Sequence, residues 1–290
     1  MRDVYAEVIG DPIAHSKSPL IHKFWLEKLG IEGDYRTVRV DPGRLHDHLF
    51  ERRRDPDWRG CNVTAPLKQA VMPFLAWLSP TAEKCVAANT IVSAGQPQLR
   101  GHNTDALAVT RLLGSRKTHA YPNQVATYVQ IIGGGGAARA AAIGAVAAHY
   151  CDFEFYNRTL SKAQALAVWF SLAPDGYAST LEGLGPIRNP GDGPEDQRYS
   201  HVVINASSLG TDGRPDVPIE LAEYYPDTIV LDMAYGPTET RLVRRARELG
   251  LRTIDGFDML VEQAADAFEL FFGQPPPRLF DPELRELLTR

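Results

Sequence analysis

A run of four glycines, at positions 133–136, restricts most strongly what this chain can fold into. It stands within "VQIIGGGGAAR", after an apolar stretch typical of a buried strand and before an alanine-rich stretch typical of a helix. Gly133, Gly135 and Ala138 fit the spacing of a dinucleotide-binding turn, whose last position accepts Gly or Ala. One glycine permits the tight turn, another lets the backbone approach a pyrophosphate, and the small third residue lets the helix pack on the strand. A flexible linker is also rich in glycine, but the flanking strand and helix favour a nucleotide site.

The residues that end the next strand indicate which dinucleotide is bound. An NAD site has Asp or Glu about 20 residues beyond the glycine turn, where the carboxylate holds a ribose hydroxyl. Here the strand ends in "YNRT" without a carboxylate, and Asn157, Arg158 and Thr159 are soon followed by Lys162. Arg158 and Lys162 supply positive charge where a 2′-phosphate would lie, although an arginine at a strand end is also commonly just solvated. We therefore predict NADP(H) as the cofactor.

Strand-like and helix-like stretches alternate along almost the whole chain, which predicts an α/β fold. With 290 residues the chain is long enough for two domains, each with its own core. We place the join between them near residue 105 and expect the last stretch, from Gly256, to be helical. A segment rich in proline, glycine and acidic residues, at 185–199, is expected to be a surface loop.

The composition argues against several other classes of protein. Hydrophobic residues make up 44% of the chain and charged residues 23%, as in globular proteins, and the net charge of −5 disfavours a nucleic-acid partner. No apolar run approaches the ~20 residues of a membrane span, and the N-terminus lacks the layout of a signal peptide. The three cysteines are far apart and indicate neither disulfides nor a zinc site. We expect a cytoplasmic protein without a metal.

Polar side chains stand out at three strand–helix junctions in the first part of the chain. In "GDPIAHSKSPLIH", Ser18 before Pro19 predicts a helix start capped by the serine hydroxyl, whereas spacing gives Ser16 no role. In "NVTAPLK", Lys68 is either a solvated helix lysine or a functional amine. In "GHNTDA", residues 103–105 either cap the next helix or line a site. The residues alone leave these alternatives open.

Nine motifs carry a resemblance that covers nearly the whole chain. In order they are "PIAHSKSPLIH", "NVTAPLK", "AANT", "NTDA", "GGGGAAR", "NRT", "INASSLG", "DMAY" and "DGFDMLVEQA". From Val4 to about Gly273 the chain resembles the shikimate dehydrogenase family. The resemblance implies NADPH-dependent, reversible reduction of 3-dehydroshikimate to shikimate, a step toward chorismate and the aromatic amino acids. It also implies a substrate-binding catalytic domain, 1–104 plus 256–290, and a Rossmann-type NADP-binding domain, 105–255, separated by a cleft.

The same resemblance assigns roles to individual residues. Lys68 and Asp105 would be the catalytic pair, with Lys68 as general acid and base. Ser16 and Ser18 would bind the carboxylate of the substrate, and Asn62, Thr64 and Asn89 would bind its ring hydroxyls. Tyr235 and Gln263 complete the set of residues expected to bind the substrate. The residues expected to bind the cofactor are Gly133, Gly135, Gly136, Ala137, Asn157, Arg158, Thr159, Lys162, Met233 and Gly256. The protein would act on a small molecule, as a monomer or homodimer, without nucleic acid or membrane.

Three positions depart from the commonest family pattern. Ala106 follows "NTD" where glycine is usual, Asp258 replaces the second glycine of "DGxGML", and Ala88 stands where valine is usual in "AANT". None of them removes a polar group named above. The first two put a side chain where the family has none, so they bear on closure, pocket shape and the exact substrate.

Two kinds of rival function stay open at this point. One is a paralogous enzyme that acts on quinate, on both quinate and shikimate, or on aminoshikimate. Relatives that accept quinate often have threonine in the serine pair, so Ser16 and Ser18 favour shikimate. The other rival is a catalytically idle protein that only binds NADP or a shikimate-like ligand, and the presence of both Lys68 and Asp105 argues against it.

Overall fold

The chain divides into two compact units, and a computed structural model describes residues 4–93, 98–116, 124–172, 177–186, 198–211, 213–236 and 239–289. The first unit is Met1–Leu107 together with Leu260–Arg290, and the second is Ala108–Met259. Sequence reasoning placed the changes of domain at 104/105 and 255/256. In the structure each boundary between the units lies a few residues later in the chain. Both boundaries fall inside a continuous helix. Most of the predicted surface loop, residues 187–197, lies outside the described residues.

The described strands of the first unit form a mixed sheet. They are β1 (Tyr5–Gly10), β2 (Asp34–Arg39), β3 (Trp58–Val63), β4 (Trp77–Leu78), β5 (Thr90–Ser93) and β6 (Leu99–His102). Their order is β2-β1-β3-β5-β6-β4. Strand β1 is parallel to β2 and β3, whereas β5 is antiparallel to β3 and β6. Every residue of β1 is buried, so both faces of the sheet are covered at this strand.

Helices cover this sheet. They are α1 (Ser18–Leu29), α2 (Leu45–Arg52), α3 (Leu67–Ala70), α4 (Pro80–Cys85), the first residues of α5 (Thr104–Arg116), most of α9 (Gly256–Phe272) and α10 (Asp281–Thr289). Helix α1 buries Phe24 and Trp25, and it ends at Gly30 with φ of +63°. Glycine adopts this left-handed conformation without a steric penalty, which allows the helix to end there. Ala267 and Phe271 of α9 pack into the core beside β1, which returns the end of the chain to this unit.

The second unit is built on a parallel sheet. Its described strands are β7 (Gln124–Ile132), β8 (Asp152–Tyr156), β9 (Ala178–Ser179), β10 (Arg198–Asn205), β11 (Ile229–Asp232) and β12 (Arg252–Ile254). They lie in the order β9-β8-β7-β10-β11-β12, and every described pairing is parallel. Numbered within the unit, this is the 3-2-1-4-5-6 order of the Rossmann fold. The predicted α/β fold with a Rossmann-type domain is therefore confirmed.

The connections of the second unit determine where a ligand can bind. Helices α6 (Gly136–Ala147), α7 (Leu160–Trp169) and α8 (Arg241–Glu248) join successive strands of the sheet. Because the strands are parallel, their carboxyl ends share one edge, and the strand order reverses between β7 and β10. The glycine turn at 133–136 follows β7 at this edge. Doubly wound sheets bind ligands at such a switch point.

Candidate functional site

Lys68 and Asp105 form an ion pair in the first unit. The Nζ atom of Lys68 lies 2.6 Å from Oδ2 of Asp105, and the two side chains are 19% and 8% exposed. Lys68 lies on α3, just after β3, and its carbonyl accepts a hydrogen bond from the Ala88 amide. Asp105 lies in the first turn of α5, which Asn103 caps by accepting the Ala106 N–H at 3.0 Å. The fold thus holds an amine and a carboxylate together where a polar ligand can reach them.

Five buried side chains, which we call the amide cluster, lie in the same unit: Asn62, Asn89, Thr90, Thr104 and Gln263. The Oδ1 atom of Asn89 accepts the Thr104 backbone N–H at 2.7 Å. Its Nδ2 donates to Oγ1 of Thr104 at 2.9 Å and to Oε1 of Gln263 at 3.4 Å. Each of the five is at most 9% exposed. Because Thr104 precedes Asp105 in the chain, the amide cluster and the ion pair form one polar region.

A buried aromatic stack holds Asn62 in one orientation. The Tyr35 hydroxyl donates to Oδ1 of Asn62 at 2.5 Å, and Nδ2 of Asn62 donates to Oγ1 of Thr90 at 3.0 Å. The Tyr35 ring stacks on the His22 ring, with centroids 4.0 Å apart. Burial lowers the pKa of His22 to about 3, so this imidazole is neutral at physiological pH.

The serine pair at the start of α1 differs from the prediction. The N-cap of α1 is Lys17, which makes no side-chain capping bond, so the expected capping role of Ser18 was wrong. Lys17 already has helical backbone dihedrals, which moves Ser18 into the first turn. Instead, Oγ of Ser16 accepts the Ser18 N–H at 3.3 Å. The Ser18 hydroxyl is therefore not engaged in capping. Ser18 is buried and Ser16 is half-buried.

Thr64 lies at the same edge of the sheet as the serine pair. It follows β3 directly, and its methyl group occupies the space beside Gly10, at the end of β1. Strands β1 and β3 are parallel neighbours, so the segments that leave their carboxyl ends share one edge. The structure thereby brings the Ser16 turn, Thr64 and the Lys68 helix to one side of the first unit.

The glycine turn of the second unit is open toward an anion. Gly133 has φ of +146°, and a Cβ there would lie 2.6 Å from the Ala206 carbonyl oxygen. Gly135 is the N-cap of α6, which begins with Gly136 and Ala137, and no described side chain caps it. The first amides of α6 and the positive end of its dipole are therefore offered to a ligand.

The turn after β8 packs against the glycine turn. A Cβ on Gly134 would lie 2.6 Å from Nδ2 of Asn157 and 3.3 Å from Cβ of Lys162. The Oδ1 atom of Asn157 accepts the Thr159 N–H at 3.0 Å, which closes the turn. Arg158 and Lys162 are exposed, and no carboxylate in the described part of the chain pairs with either. Two cations beside an open helix N-terminus suit a phosphate group.

Met233, Tyr235 and Gly256 also come together in the second unit. Met233 and Tyr235 follow β11, and Gly256 begins α9. Gly256 has no room for a side chain, because a Cβ would collide with the Ala234 carbonyl and lie 2.8 Å from Cβ of Tyr235. The Met233 N–H donates to the Asn205 carbonyl at 2.9 Å. Met233 and Tyr235 therefore lie in a turn at the carboxyl edge of the sheet, and Gly256 packs tightly against this turn.

The departure at Asp258 has a structural explanation. Its Oδ2 atom accepts the Asp255 N–H at 3.1 Å, while Oδ1 of Asp255 accepts the Asp258 N–H at 3.0 Å. This reciprocal pair is a capping box at the start of α9. Asp255 is also paired with Arg247 of α8 at 2.9 Å. The carboxylate at position 258 therefore stabilises the start of the helix.

Sequence reasoning missed three polar groups. Thr90 and Thr104 are completely buried members of the amide cluster, and the Tyr35 hydroxyl orients Asn62. For Thr104 the sequence left open whether it caps the helix or lines a site, and Thr104 was not assigned to the substrate. A signal was present for both threonines, since each lies next to a residue already singled out, in "AANT" and "NTDA". No local pattern marks Tyr35, which lies on the edge strand β2.

Among the described residues, no group of three or more His, Cys, Asp or Glu side chains is placed to hold a metal ion. No described helix is both long enough and apolar enough to cross a membrane. Cys61 and Cys85 are buried free thiols, and burial raises the pKa of Cys61. A buried thiol with a raised pKa is chemically inert.

The fold and the site define a class of protein. A parallel sheet in Rossmann order, with an open glycine turn beside two cations, is a dinucleotide-binding unit. The first unit adds a lysine–carboxylate pair next to buried amides. The chain is a dinucleotide-dependent oxidoreductase with two α/β units.

Its relatives narrow this class to one family. Residues 8–91 match the family model of the shikimate dehydrogenase substrate binding domain, and residues 256–279 match that of the shikimate 5′-dehydrogenase C-terminal domain. The shikimate dehydrogenase (NADP(+)) of Sphingopyxis alaskensis is 43% identical over 285 residues, which cover 98% of this chain and 97% of that protein. The shikimate dehydrogenase (NADP(+)) of Methylobacterium radiotolerans is 38% identical, covering 98% and 96%.

A solved structure agrees with these relatives. Shikimate 5-dehydrogenase from Thermus thermophilus, in complex with NADP(H) and shikimate, is 32% identical and has a TM-score of 0.78. The match covers 98% of this chain and 99% of that chain. The chain belongs to the shikimate dehydrogenase family.

Proposed function

We propose that this protein catalyses the reversible, NADP-dependent reduction of 3-dehydroshikimate to shikimate. The observation that carries the proposal is the 2.6 Å contact between Nζ of Lys68 and Oδ2 of Asp105. A ketone that accepts a hydride also needs a proton on its oxygen, and an oriented lysine ammonium can supply it. The relatives named above carry the same activity in their names, which supports this reaction.

Lys68 moves the proton. NADPH, when bound, supplies the hydride to the ketone carbon. The Nζ atom of Lys68 gives a proton to the ketone oxygen as it becomes an alkoxide, and takes one from the hydroxyl in the reverse direction. Asp105 accepts a hydrogen bond from the same Nζ, so it directs the amine and balances its charge.

The polar region around the pair suits a substrate with a carboxylate and ring hydroxyls. Ser16 and Ser18 lie at the edge that Thr64 shares, so their hydroxyls are assigned to the carboxylate. The amides of Asn89 and Gln263 are already hydrogen-bonded to each other, so they offer preorganised groups to the ring hydroxyls. The full set assigned to substrate is Ser16, Ser18, Asn62, Thr64, Asn89, Tyr235 and Gln263.

The second unit suits NADP(H). The amides at the start of α6 are assigned to the pyrophosphate, and Arg158 and Lys162 to the 2′-phosphate. An NAD-type carboxylate does not follow β8, because Asn157 stands there and binds the Thr159 amide instead. The remaining assigned residues are Gly133, Gly135, Gly136, Ala137, Met233 and Gly256.

The experiment is a steady-state assay of the purified protein with four substrate pairs. Shikimate and quinate are each oxidised with NADP and with NAD, and the four values of kcat/KM are compared. We expect kcat/KM for shikimate with NADP to exceed that of every other pair by about fivefold or more, since each unmatched polar group costs about 1 kcal/mol or more.

Each other outcome has a meaning. A larger kcat/KM with quinate would show that the protein is the paralogous enzyme that acts on quinate. Tight NADPH binding without turnover of shikimate, quinate or aminoshikimate would show that the protein binds the cofactor but is catalytically idle. Equal values with NAD and NADP would refute the role of Arg158 and Lys162.

We also propose that the protein works in the cytoplasm, as a monomer or a homodimer, because the family is biosynthetic and acts on a small molecule. Sedimentation velocity at micromolar concentration gives the mass of the species in solution. A species larger than a dimer would contradict this assembly state.

A further inference from the structure

Asp232 is a buried carboxylate at the end of β11 that has no part in the assignments above. Its side chain is completely buried. The Oδ1 atom accepts hydrogen bonds from Nδ2 of Asn205 at 2.9 Å and from the Ala234 N–H at 3.0 Å. The Oδ2 atom accepts the Thr240 hydroxyl at 2.7 Å. One carboxylate therefore joins three segments: the end of β10, the turn after β11, and the residue that caps α8.

Asn205 extends this anchoring to the turn after β10. Its Nδ2 also donates to the Leu209 carbonyl at 3.0 Å, and its Oδ1 accepts the Ser207 hydroxyl at 2.7 Å. The backbone carbonyl of Asn205 accepts the Met233 N–H at 2.9 Å. The turns that leave β10 and β11 are thus connected through Asp232 and its amide partner. A fully hydrogen-bonded buried network of this kind restricts a segment to one geometry.

The segment that Asp232 anchors is also the one that packs on Gly256. The Ala234 N–H is held by Asp232, and the Ala234 carbonyl occupies the place where a Gly256 side chain would lie. Movement of residues 233–235 would therefore change the position of Met233, Tyr235 and the Gly256 backbone together.

The strand order indicates which half of the dinucleotide meets this segment. A Rossmann sheet consists of two mononucleotide-binding halves. The glycine turn and the two cations belong to the half made of β7, β8 and β9. The turn of residues 233–235 belongs to the other half, made of β10, β11 and β12, which takes the nicotinamide end of the dinucleotide.

We propose that Asp232 is a positioning residue, whose three hydrogen bonds fix residues 233–235 against Gly256 and so set the place of the nicotinamide end of NADP(H). The inference rests on the proposed function, because that function assigns Met233 and Gly256 to the cofactor. Both Asp232 oxygens are taken by donors of the protein, so Asp232 acts through these residues and does not touch the ligand.

The test compares NADPH binding by three purified variants of the full chain, measured by titrating NADPH fluorescence. Asp232→Ala removes all three acceptors, and we expect the Kd for NADPH to rise about tenfold or more. Asp232→Asn keeps an oxygen for Asn205 and Ala234 and turns an NH2 group toward the Thr240 oxygen, so its Kd should stay within about threefold of wild type.

Tyr224→Phe is the matched control. The Tyr224 hydroxyl is buried and donates to Oε1 of Gln130 at 2.8 Å, in the same unit but before the start of β11. We expect its loss to lower the melting temperature and to leave the turns at the carboxyl edge unchanged. The Kd for NADPH should then stay within about twofold of wild type, which separates positioning from general destabilisation.

Two results would overturn the proposal: wild-type NADPH affinity in folded Asp232→Ala, or equal loss of affinity in Asp232→Asn and Asp232→Ala. If Asp232→Ala does not fold, Thr240→Val, which removes one donor at nearly constant shape, takes its place, and an unchanged Kd would overturn the proposal. The titration needs no shikimate. Absence of shikimate oxidation in the wild type would therefore refute the proposed function while the binding series still decides the role of Asp232.

Discussion

The Nζ atom of Lys68 lies 2.6 Å from Oδ2 of Asp105, in a pair whose side chains are only 19% and 8% exposed. Another lysine–aspartate pair of the same unit, Lys23 with Asp34 at 2.9 Å, is 56% and 35% exposed. Exposed ion pairs are worth little, whereas removing one partner of a buried pair leaves the other charge uncompensated. The two pairs therefore provide the proposed catalytic pair and an exposed pair that serves as its control.

Asp105→Asn is expected to lower kcat for shikimate oxidation by about 10- to 100-fold, because the amide keeps the shape but loses the charge that directs Lys68. Steady-state assays at saturating NADP measure the change. Asp34→Asn, the matched control, should leave kcat within about twofold of wild type. Wild-type turnover in Asp105→Asn would show that Lys68 needs no charged partner.

Arg158→Ala is expected to raise the KM for NADPH about tenfold or more and to leave the KM for NADH nearly unchanged, since a charge-assisted bond to phosphate is worth about 1.5–3 kcal/mol. The ratio of the two KM values is the readout. Arg241→Ala removes an exposed arginine of the same unit, paired with Asp216 at 3.3 Å, and should not change that ratio. Equal losses for both cofactors would show that Arg158 does not contact the 2′-phosphate.

His22→Phe is expected to improve stability at acid pH. Burial lowers the pKa of His22 from 6.5 to about 3, so the folded state resists a proton that the unfolded chain accepts. The stability linked to neutral His22 is present above pH 6.5 and is lost as the pH falls toward 3, by up to about 1.4 kcal/mol per pH unit.

Urea unfolding of His22→Phe between pH 7 and pH 4 should therefore show a smaller loss than the wild type. His46→Phe is the control, because the His46 side chain is 64% exposed and its replacement should change the stability little. Parallel pH profiles for His22→Phe and wild type would contradict this account.

Asp232→Asn is expected to gain stability relative to wild type as the pH rises, whereas His22→Phe gains it as the pH falls. Burial raises the pKa of Asp232 from 3.8 to about 6, although its hydrogen bonds partly offset this effect. A carboxyl with a raised folded-state pKa contributes stability below pH 3.8, and that contribution is lost as the pH rises through about 6.

The variant should therefore gain stability relative to wild type between pH 4 and pH 7, by about 2–3 kcal/mol at most. Chemical unfolding at the two pH values measures the difference. Glu269→Gln, an exposed change on α9, should show no such gain. A constant difference between Asp232→Asn and wild type across this range would contradict the raised pKa.

The local structure of the two turns assigned to the cofactor was predictable because its signal is local. The glycines at 133–136 and the residues 157–162 follow single strands, and strand–turn–helix patterns specify their geometry. The residues alone also predicted the α/β class, since alternating strands and helices permit few other arrangements. The substrate half was different, because its residues were identified from the family resemblance.

Long-range contacts explain the difference. Asn89 and Gln263 are 174 residues apart in the chain and touch only because α9 returns to the first unit. The Tyr35 hydroxyl reaches Asn62 across 27 residues, through strand order that no spacing reveals. The helix-capping role expected of Ser18 failed over a single residue, since Lys17 already had helical dihedrals.

The catalytic role of Lys68 can be tested with kcat for shikimate oxidation with NADP, measured for the wild type, for Lys68→Ala and for the exposed control Lys23→Ala. We expect Lys68→Ala to lower kcat by roughly 10²- to 10⁴-fold with little change in the KM for shikimate, because the proton is needed in the transition state. Lys23→Ala should match the wild type. Turnover by folded Lys68→Ala at a rate near that of the wild type would show that Lys68 does not transfer the proton.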